Sequence, residues 1–164
     1  MASRSLDDLK FDFSLKAQNF IYACEDAGLQ ILVYCTQRGF DEQAALYCRG
    51  RNSKSIEAKA VELRDVYKRP GLAKLLTDKG PLPGRIVTRA GPGQSLHGYG
   101  YAFDCVPLLS GKPVWGINTP AEKLLWAKLG RLGTQAGMEW AGYWQSFKEF
   151  PHFQKPNIRW QDLI

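Results

Sequence analysis

The chain has 164 residues, a formal charge of +6 and a pI near 9.2. This length fits one domain with its own core, so we expect a single domain over residues 1–164. We also expect a monomer. Hydrophobic residues make up 45% of the chain, and no apolar run approaches the roughly 20 residues of a membrane helix, which argues against stable membrane insertion. The positive charge indicates attraction to a polyanion such as nucleic acid, an anionic membrane surface or cell-wall polymer.

The first residues, MASRSLDDLKFDF, carry charged or polar groups at short intervals and no apolar segment. We therefore expect no signal peptide and a protein that stays in the cytoplasm after synthesis. The cysteines show no CxxC spacing, which favours reduced, buried thiols over disulfides or a cysteine zinc site. They are Cys24, Cys35, Cys48 and Cys105.

The first half of the chain predicts two helices around a strand. The first helix runs from about Ser14 to Ala27 and stops at Gly28. A short buried strand follows in LQILVYCTQ, and DEQAALYCRG predicts a helix opened by Asp41. Residues from about 52 to 80 have helical composition broken at a Pro-Gly pair, which indicates a helical insertion.

The second half predicts strands and one long helix. The segments RIVT and YAFDCVP carry the β-branched and aromatic residues of strands. In NTPAEKLLWAKLGRLGTQAG, Thr119 caps a helix, Glu122 completes a capping box and Gly137 ends it. Its apolar stripe favours core packing, with a membrane-active amphipathic helix as the alternative.

One of the chain's two histidines, His97, lies seven positions before Asp104 in SLHGYGYAFD. A hydrolytic zinc site commonly uses two histidines, one carboxylate and an open position. Gly98 and Gly100 would let a loop histidine and a strand aspartate face one ion. A hydrogen-bonded structural pair is the alternative.

The other histidine, His152, follows Glu149 by three positions in EFPHFQ. A carboxylate beside a ligand histidine can take a proton from the water of a hydrolytic site. The alternative is a strand-edge histidine in aromatic packing beside a solvated glutamate.

Together, VTRAGPGQSLHGYGYAFD and EWAGYWQSFKEFPHFQ resemble the SxHxxGxAxD and ExxH signatures of the zinc D-alanyl-D-alanine carboxypeptidase superfamily. Within it the chain most resembles the L-alanyl-D-glutamate endopeptidases of phage endolysins and bacterial wall hydrolases. The segment TQRGFDEQAALYCRGR is similar to the same group. The resemblance implies an α+β fold in which a small antiparallel sheet carries one zinc ion and helices pack around it.

The resemblance also implies a role for each site residue. It makes His97, Asp104 and His152 the zinc ligands and Glu149 the general base and later acid. Arg38 would stabilise the substrate oxyanion, with a surface arginine in a turn as the alternative. Ser95 would shape the site, and Tyr143 and Trp144 are expected to contact substrate, whereas Trp140 fits core packing equally well.

The implied function is hydrolysis of the L-Ala-D-Glu bond in peptidoglycan stem peptides, by a phage lysis enzyme that reaches the periplasm and wall after release. A D-Ala-D-Ala carboxypeptidase or dipeptidase would use the same zinc residues and differ in the groove. A non-catalytic zinc-containing wall-binding module is a further alternative, although Glu149 argues against it. We expect no nucleic-acid partner, because no dense basic block is present.

Overall fold

The structure, a computed structural model, describes residues 2–164. These residues fall into two compact units. The sheet unit comprises Ser3–Gln37 and Tyr99–Ile158, and the helical unit comprises Arg38–Gly98, Arg159–Ile164 and Ala2. The expected α+β class is confirmed, because helices accompany a small antiparallel sheet. The single-domain organisation stays a prediction.

The sheet unit combines two long helices with a five-stranded sheet in the described residues. The elements are α1 (Phe11–Asp26), β1 (Ile31–Cys35), β2 (Ala102–Leu109), β3 (Lys112–Pro113), α5 (Pro120–Gln135), β4 (Glu139–Trp140) and β5 (His152–Gln154). The strand order is β1-β2-β5-β4, all neighbours are antiparallel, and β3 pairs with the end of β2.

Aromatic rings join α1 to the sheet. Phe20 of α1 lies 5.1 Å from Phe153 of β5 and 5.9 Å from Phe103 of β2, measured between ring centroids. Trp126 and Leu129 of α5 are buried in the same cluster. Burial of such rings dominates core energetics, so the inward residues of β2 and β5 anchor both strands.

The helical unit contains α2 (Phe40–Cys48), α3 (Ser53–Val61) and α4 (Pro70–Lys79). Both α3 and α4 lie within the segment from about 52 to 80 that indicates an insertion. Their apolar faces form a second cluster with α2 that includes Leu63 and Leu76. No helix among residues 2–164 is long and apolar enough to cross a membrane.

Most predicted elements are confirmed, with shifted ends. Helix α5 has both reciprocal bonds of the capping box between Thr119 and Glu122. Helix α1 begins at Phe11 rather than Ser14, and Gly28 follows it with φ +67°. Strand β1 is present but only partly buried, since it lies at the edge of the sheet and Leu32 is 40% exposed.

Two local predictions are wrong. RIVT, residues 85–88, forms no strand; Thr88 instead accepts a hydrogen bond at its carbonyl from the Arg51 guanidinium at 2.7 Å. Helix α2 begins at Phe40 with Gly39 as the N-cap and no side-chain cap bond. Asp41 pairs with Lys79 at 3.0 Å, so a tertiary ion pair replaces the expected cap.

The four cysteines are free and buried, as predicted. Burial raises the pKa of the Cys24 thiol to about 12 and that of Cys105 well above its ordinary value. A protonated thiol is a poor nucleophile and a poor metal ligand, so these two are structural.

Helix α5 packs closely against the Trp140 and Phe153 rings because it has glycines at positions 130 and 133. A Cβ at Gly130 would lie 2.1 Å from the Trp140 ring. We expect Gly130→Ala to lower the free energy of unfolding by about 1–3 kcal/mol, since overpacking forces side chains and backbone to shift. Denaturant unfolding measures this. Gly71→Ala is the control, since its Cβ meets nothing within 4 Å; equal stability of both variants would contradict the packing.

Candidate metal centre

Strand alternation places Asp104 and His152 on one face of the sheet. These residues are register partners on β2 and β5. Their neighbours Phe103 and Phe153 are also partners and point into the core. Because side chains alternate along a strand, the two polar residues share the opposite face. Both are nevertheless largely buried.

The two side chains meet at a distance that suits a metal. Asp104 Oδ1 lies 3.2 Å from His152 Nδ1. Two ligand atoms bound to tetrahedral zinc at about 2.0–2.1 Å lie roughly 3.3 Å apart. The contact is a hydrogen bond, and its length also fits an oxygen and a nitrogen that bind one zinc ion.

Gln154 determines which ring nitrogen of His152 faces Asp104. Residues 152 and 154 share a strand face, and the Gln154 Oε1 atom lies 3.0 Å from His152 Nε2. A carbonyl oxygen only accepts, so Nε2 carries a proton and donates it to Gln154. The neutral ring then presents the lone pair of Nδ1 to the Asp104 carboxylate, where a proton or a metal cation is needed between them.

The electrostatics agree with a cation at this point. Burial by itself lowers the pKa of His152, but the hydrogen bond and charge of Asp104, the charge of Glu149 and the contact with Gln154 together outweigh it. The pKa of His152 therefore lies above its ordinary value. Nδ1 is a place where positive charge is stabilised.

Glu149 reaches the same nitrogen from a tight turn. The backbone N–H of His152 donates to the Glu149 carbonyl at 3.1 Å, and β5 begins immediately after the turn. Glu149 Oε2 lies 4.0 Å from His152 Nδ1, and its side chain is 30% exposed. This carboxylate is close enough to act on a water at the centre yet farther from Nδ1 than Asp104.

Cys35, predicted to be a reduced and buried thiol, is a further group that could bind a metal. It ends β1 as the register partner of Asp104. Its Sγ lies within 4.8 Å of an Asp104 carboxylate oxygen, and the residue is buried. No local pattern marks it, since only strand pairing brings it to Asp104.

The helical unit holds three of the predicted site residues, Arg38, Ser95 and His97. Arg38 donates its backbone N–H to the His97 carbonyl at 3.2 Å, and its Nη1 atom donates to Gln43 Oε1 at 2.8 Å. Gln43 in turn donates to the Ala90 carbonyl at 2.8 Å and is buried. The guanidinium is thus oriented by a fixed amide, which argues against a loose surface arginine. Ser95 accepts the Gly98 N–H at its carbonyl at 3.1 Å.

The predicted roles of the two loop glycines differ. Gly100 has φ +73°, so it supplies the sharp turn expected before β2. Gly98 instead provides space, because a Cβ there would lie 2.4 Å from the Phe40 ring. His97 precedes Gly98 in the short 3-10 turn Leu96–Tyr99, and it is buried.

The aromatic predictions separate into three cases. Trp144 lies beside the centre, 5.6 Å from His152 between ring centroids, and its Nε1 donates to Glu139 at 2.6 Å. Tyr143 is 58% exposed and packs edge-on against Trp140. Trp140 is buried and donates to the Phe150 carbonyl, so it belongs to the core.

Residues 88–155 match a family model described as D-alanyl-D-alanine carboxypeptidase. The chain is 26% identical over 136 residues to the peptidoglycan L-alanyl-D-glutamate endopeptidase CwlK of Bacillus subtilis (strain 168). That match covers 80% of this chain and 64% of CwlK, so the chain spans less than two thirds of the length of this curated relative.

Solved structures show the same fold. The L-Ala D-Glu endopeptidase ChiX of Serratia marcescens matches with a TM-score of 0.50 and 19% identity, over 94% of this chain and 88% of ChiX. The vancomycin-resistance D,D-pentapeptidase VanY, solved with Zn(II), matches with a TM-score of 0.50 and 17% identity, over 90% of this chain and 72% of VanY.

Proposed function

We propose that this chain, which belongs to the zinc D-alanyl-D-alanine carboxypeptidase superfamily, is a zinc peptidase that cuts the L-Ala-D-Glu bond of peptidoglycan stem peptides. The observation that carries the proposal is the buried pair of Asp104 and His152 with Glu149 beside it. A metal ligand pair with an adjacent carboxylate that does not itself bind the metal is the arrangement of a hydrolytic metal site.

We assign the zinc ligands to His97, Asp104 and His152. The separation of Asp104 and His152 and the tautomer fixed by Gln154 support two of the three. His97 rests on the motif SLHGYGYAFD and completes a set of two histidines and one carboxylate, which leaves a position open for chemistry. Zinc supplies a Lewis acid that makes attack by water possible at neutral pH.

The other residues move protons and stabilise charge. Glu149 takes a proton from the attacking water and returns it to the leaving amine, since one carboxylate can serve as base and then acid. Arg38, held by Gln43, provides positive charge for the oxyanion of the tetrahedral intermediate. Trp144 and Tyr143 would line the peptide groove, and Ser95 would shape the loop that carries His97.

The choice of scissile bond rests on two relatives, CwlK and ChiX, which are L-alanyl-D-glutamate endopeptidases by name. The second candidate is a D-Ala-D-Ala carboxypeptidase, favoured by the description of the matching family model. That activity needs a dedicated cation for the terminal carboxylate of the substrate, for which Arg38, Arg85 and Arg89 are the candidates.

We also propose that the protein is a phage endolysin, which is made in the host cytoplasm and acts on the cell wall after its release.

A synthetic stem peptide distinguishes these activities. Incubation with the protein should cut the L-Ala-D-Glu bond and so give free L-Ala and a shorter peptide that begins with D-Glu. A chelator should stop the reaction until zinc is restored. Release of terminal D-Ala alone would support the carboxypeptidase. Hydrolysis that continues undiminished after complete metal removal would refute the zinc mechanism.

Arg38→Ala should reduce kcat/KM by about 100-fold or more, because one oxyanion stabiliser is lost. Steady-state kinetics on the same stem peptide measures this, and the thermal unfolding midpoint checks that the fold is kept. Arg38→Lys is the control for charge, since it keeps a cation without the planar guanidinium that Gln43 orients. Activity of Arg38→Ala within a few-fold of the wild type would exclude the role.

Gln154→Leu should weaken zinc affinity by about 10- to 100-fold, the usual cost of losing an outer partner of a ligand histidine. Leucine has a similar volume but cannot accept the hydrogen bond from the Nε2–H group of His152. Competition with a chelating dye gives the affinity. Gln154→Glu keeps an acceptor and should stay near the wild type; equal affinity of the leucine variant and the wild type would show that the contact does not orient the ring.

A further inference from the structure

The charge of the chain is distributed unequally between the two units. The helical unit contains thirteen Lys and Arg against seven Asp and Glu, whereas the sheet unit contains nine of each. The whole formal charge of +6 therefore belongs to the helical unit. A net charge confined to one part of a molecule produces a directed field that attracts polyanions.

Ion pairing within the helical unit leaves its net charge unchanged but engages most of its carboxylates. Six of its seven carboxylates lie within 4.0 Å of a cation of the same unit. The pairs are Asp41–Lys79, Glu57–Arg64, Glu62–Lys59, Asp65–Arg64, Asp78–Lys74 and Asp162–Arg159. The acidic groups are thus neutralised locally, and the excess charge lies on other side chains.

We call three of those side chains, Arg49, Lys54 and Arg85, the basic edge. All three are exposed, and none of them forms an ion pair with another residue in the described part of the chain. The backbone brings Arg49 and Arg85 together, because Gly50 packs against residues 84–86, where an added Cβ would lie 2.9 Å from the Arg85 carbonyl carbon. Lys54 follows in the first turn of α3.

We propose that the basic edge is an electrostatic docking surface for the peptidoglycan sacculus itself. The inference rests on the proposed function, since it takes the substrate polymer as the partner. Each stem peptide carries free carboxylates, so the sacculus is a repeating polyanion, whereas one soluble stem peptide is a small ligand. Weak contacts that repeat along a polymer add up through multivalency and decrease as salt screens them.

The test measures wall binding separately from hydrolysis. In a Glu149→Gln background, the triple variant Arg49→Glu, Lys54→Glu, Arg85→Glu is sedimented with purified sacculi. The control triple, Lys112→Glu, Lys123→Glu, Arg131→Glu, makes the same charge change at exposed positions of the sheet unit. We expect the basic-edge triple to bind about 10-fold or more weakly and the control to stay within about 3-fold at low salt. Thermal unfolding midpoints and a Gln version of the basic-edge triple check that folding is not the cause.

Equal losses in both triples would overturn the proposal, because net charge alone would then explain binding. Unchanged binding of the basic-edge triple would also overturn it. With Glu149 intact, the control triple should cleave a short soluble stem peptide at the wild-type rate, and so should the double variant Arg49→Glu, Lys54→Glu, which leaves Arg85 unchanged. If no version, including the wild type, cleaves that peptide, the proposed function fails, while sedimentation still decides whether the basic edge binds sacculi.

Discussion

Replacing Glu149 with glutamine is expected to lower kcat/KM for stem peptides by about 100- to 10,000-fold, the usual contribution of a general acid or base. Glutamine keeps the size of the side chain but cannot accept a proton. Because Glu149 Oε2 is 4.0 Å from His152 Nδ1 whereas Asp104 Oδ1 is 3.2 Å away, we expect zinc content to be unchanged. Loss of activity with retained metal distinguishes a proton carrier from a ligand.

The matched control is Glu25→Gln, which makes the same chemical change on the exposed surface of α1. It should retain full activity. Steady-state kinetics and metal analysis of both variants give the comparison. If Glu149→Gln lost its zinc together with its activity, Glu149 would be a ligand and the proposed assignment of roles would be incorrect.

His152→Ala is expected to remove both zinc and activity. It deletes the Nδ1 atom that faces Asp104 and so removes one hydrogen-bond partner of a buried carboxylate. Loss of a ligand should weaken zinc binding by more than the roughly 10- to 100-fold that an outer partner costs. Dye competition measures the affinity, and the zinc-dependent increase in thermal midpoint seen in the wild type should disappear.

Cys35→Ser is the companion variant, because Cys35 also lies beside Asp104. Serine keeps the shape but binds zinc poorly, so this variant should retain wild-type affinity if His152 is the ligand. The opposite pattern, zinc lost in Cys35→Ser and kept in His152→Ala, would show that the thiol replaces the imidazole.

Local structure that depends on residues a few positions apart could be predicted from the sequence. The capping box of α5 needs only Thr119 and Glu122, and the structure contains both of its bonds. The same holds for the proximity of Glu149 and His152, which one turn brings together. The strand predicted in YAFDCVP also forms, and its apolar residues Phe103, Cys105 and Val106 are buried in the main core.

Features that depend on distant residues could not be predicted. Gln43 orients Arg38, and Cys35 meets Asp104, only after tertiary packing. Gln154 ends the segment EWAGYWQSFKEFPHFQ that carries the resemblance. Its role appears only in the structure, where strand alternation places it beside the His152 ring. RIVT has strand propensity, but its backbone is engaged by Arg51 instead of a ladder.

The most direct test of the proposed activity is mass spectrometry of purified peptidoglycan after digestion. We predict new L-Ala ends on the amino sugars together with free peptides that begin with D-Glu, produced by the wild type and absent with Glu149→Gln or after chelation. Release of D-Ala alone, or no product from a protein that holds zinc, would contradict the assignment as an L-alanyl-D-glutamate endopeptidase.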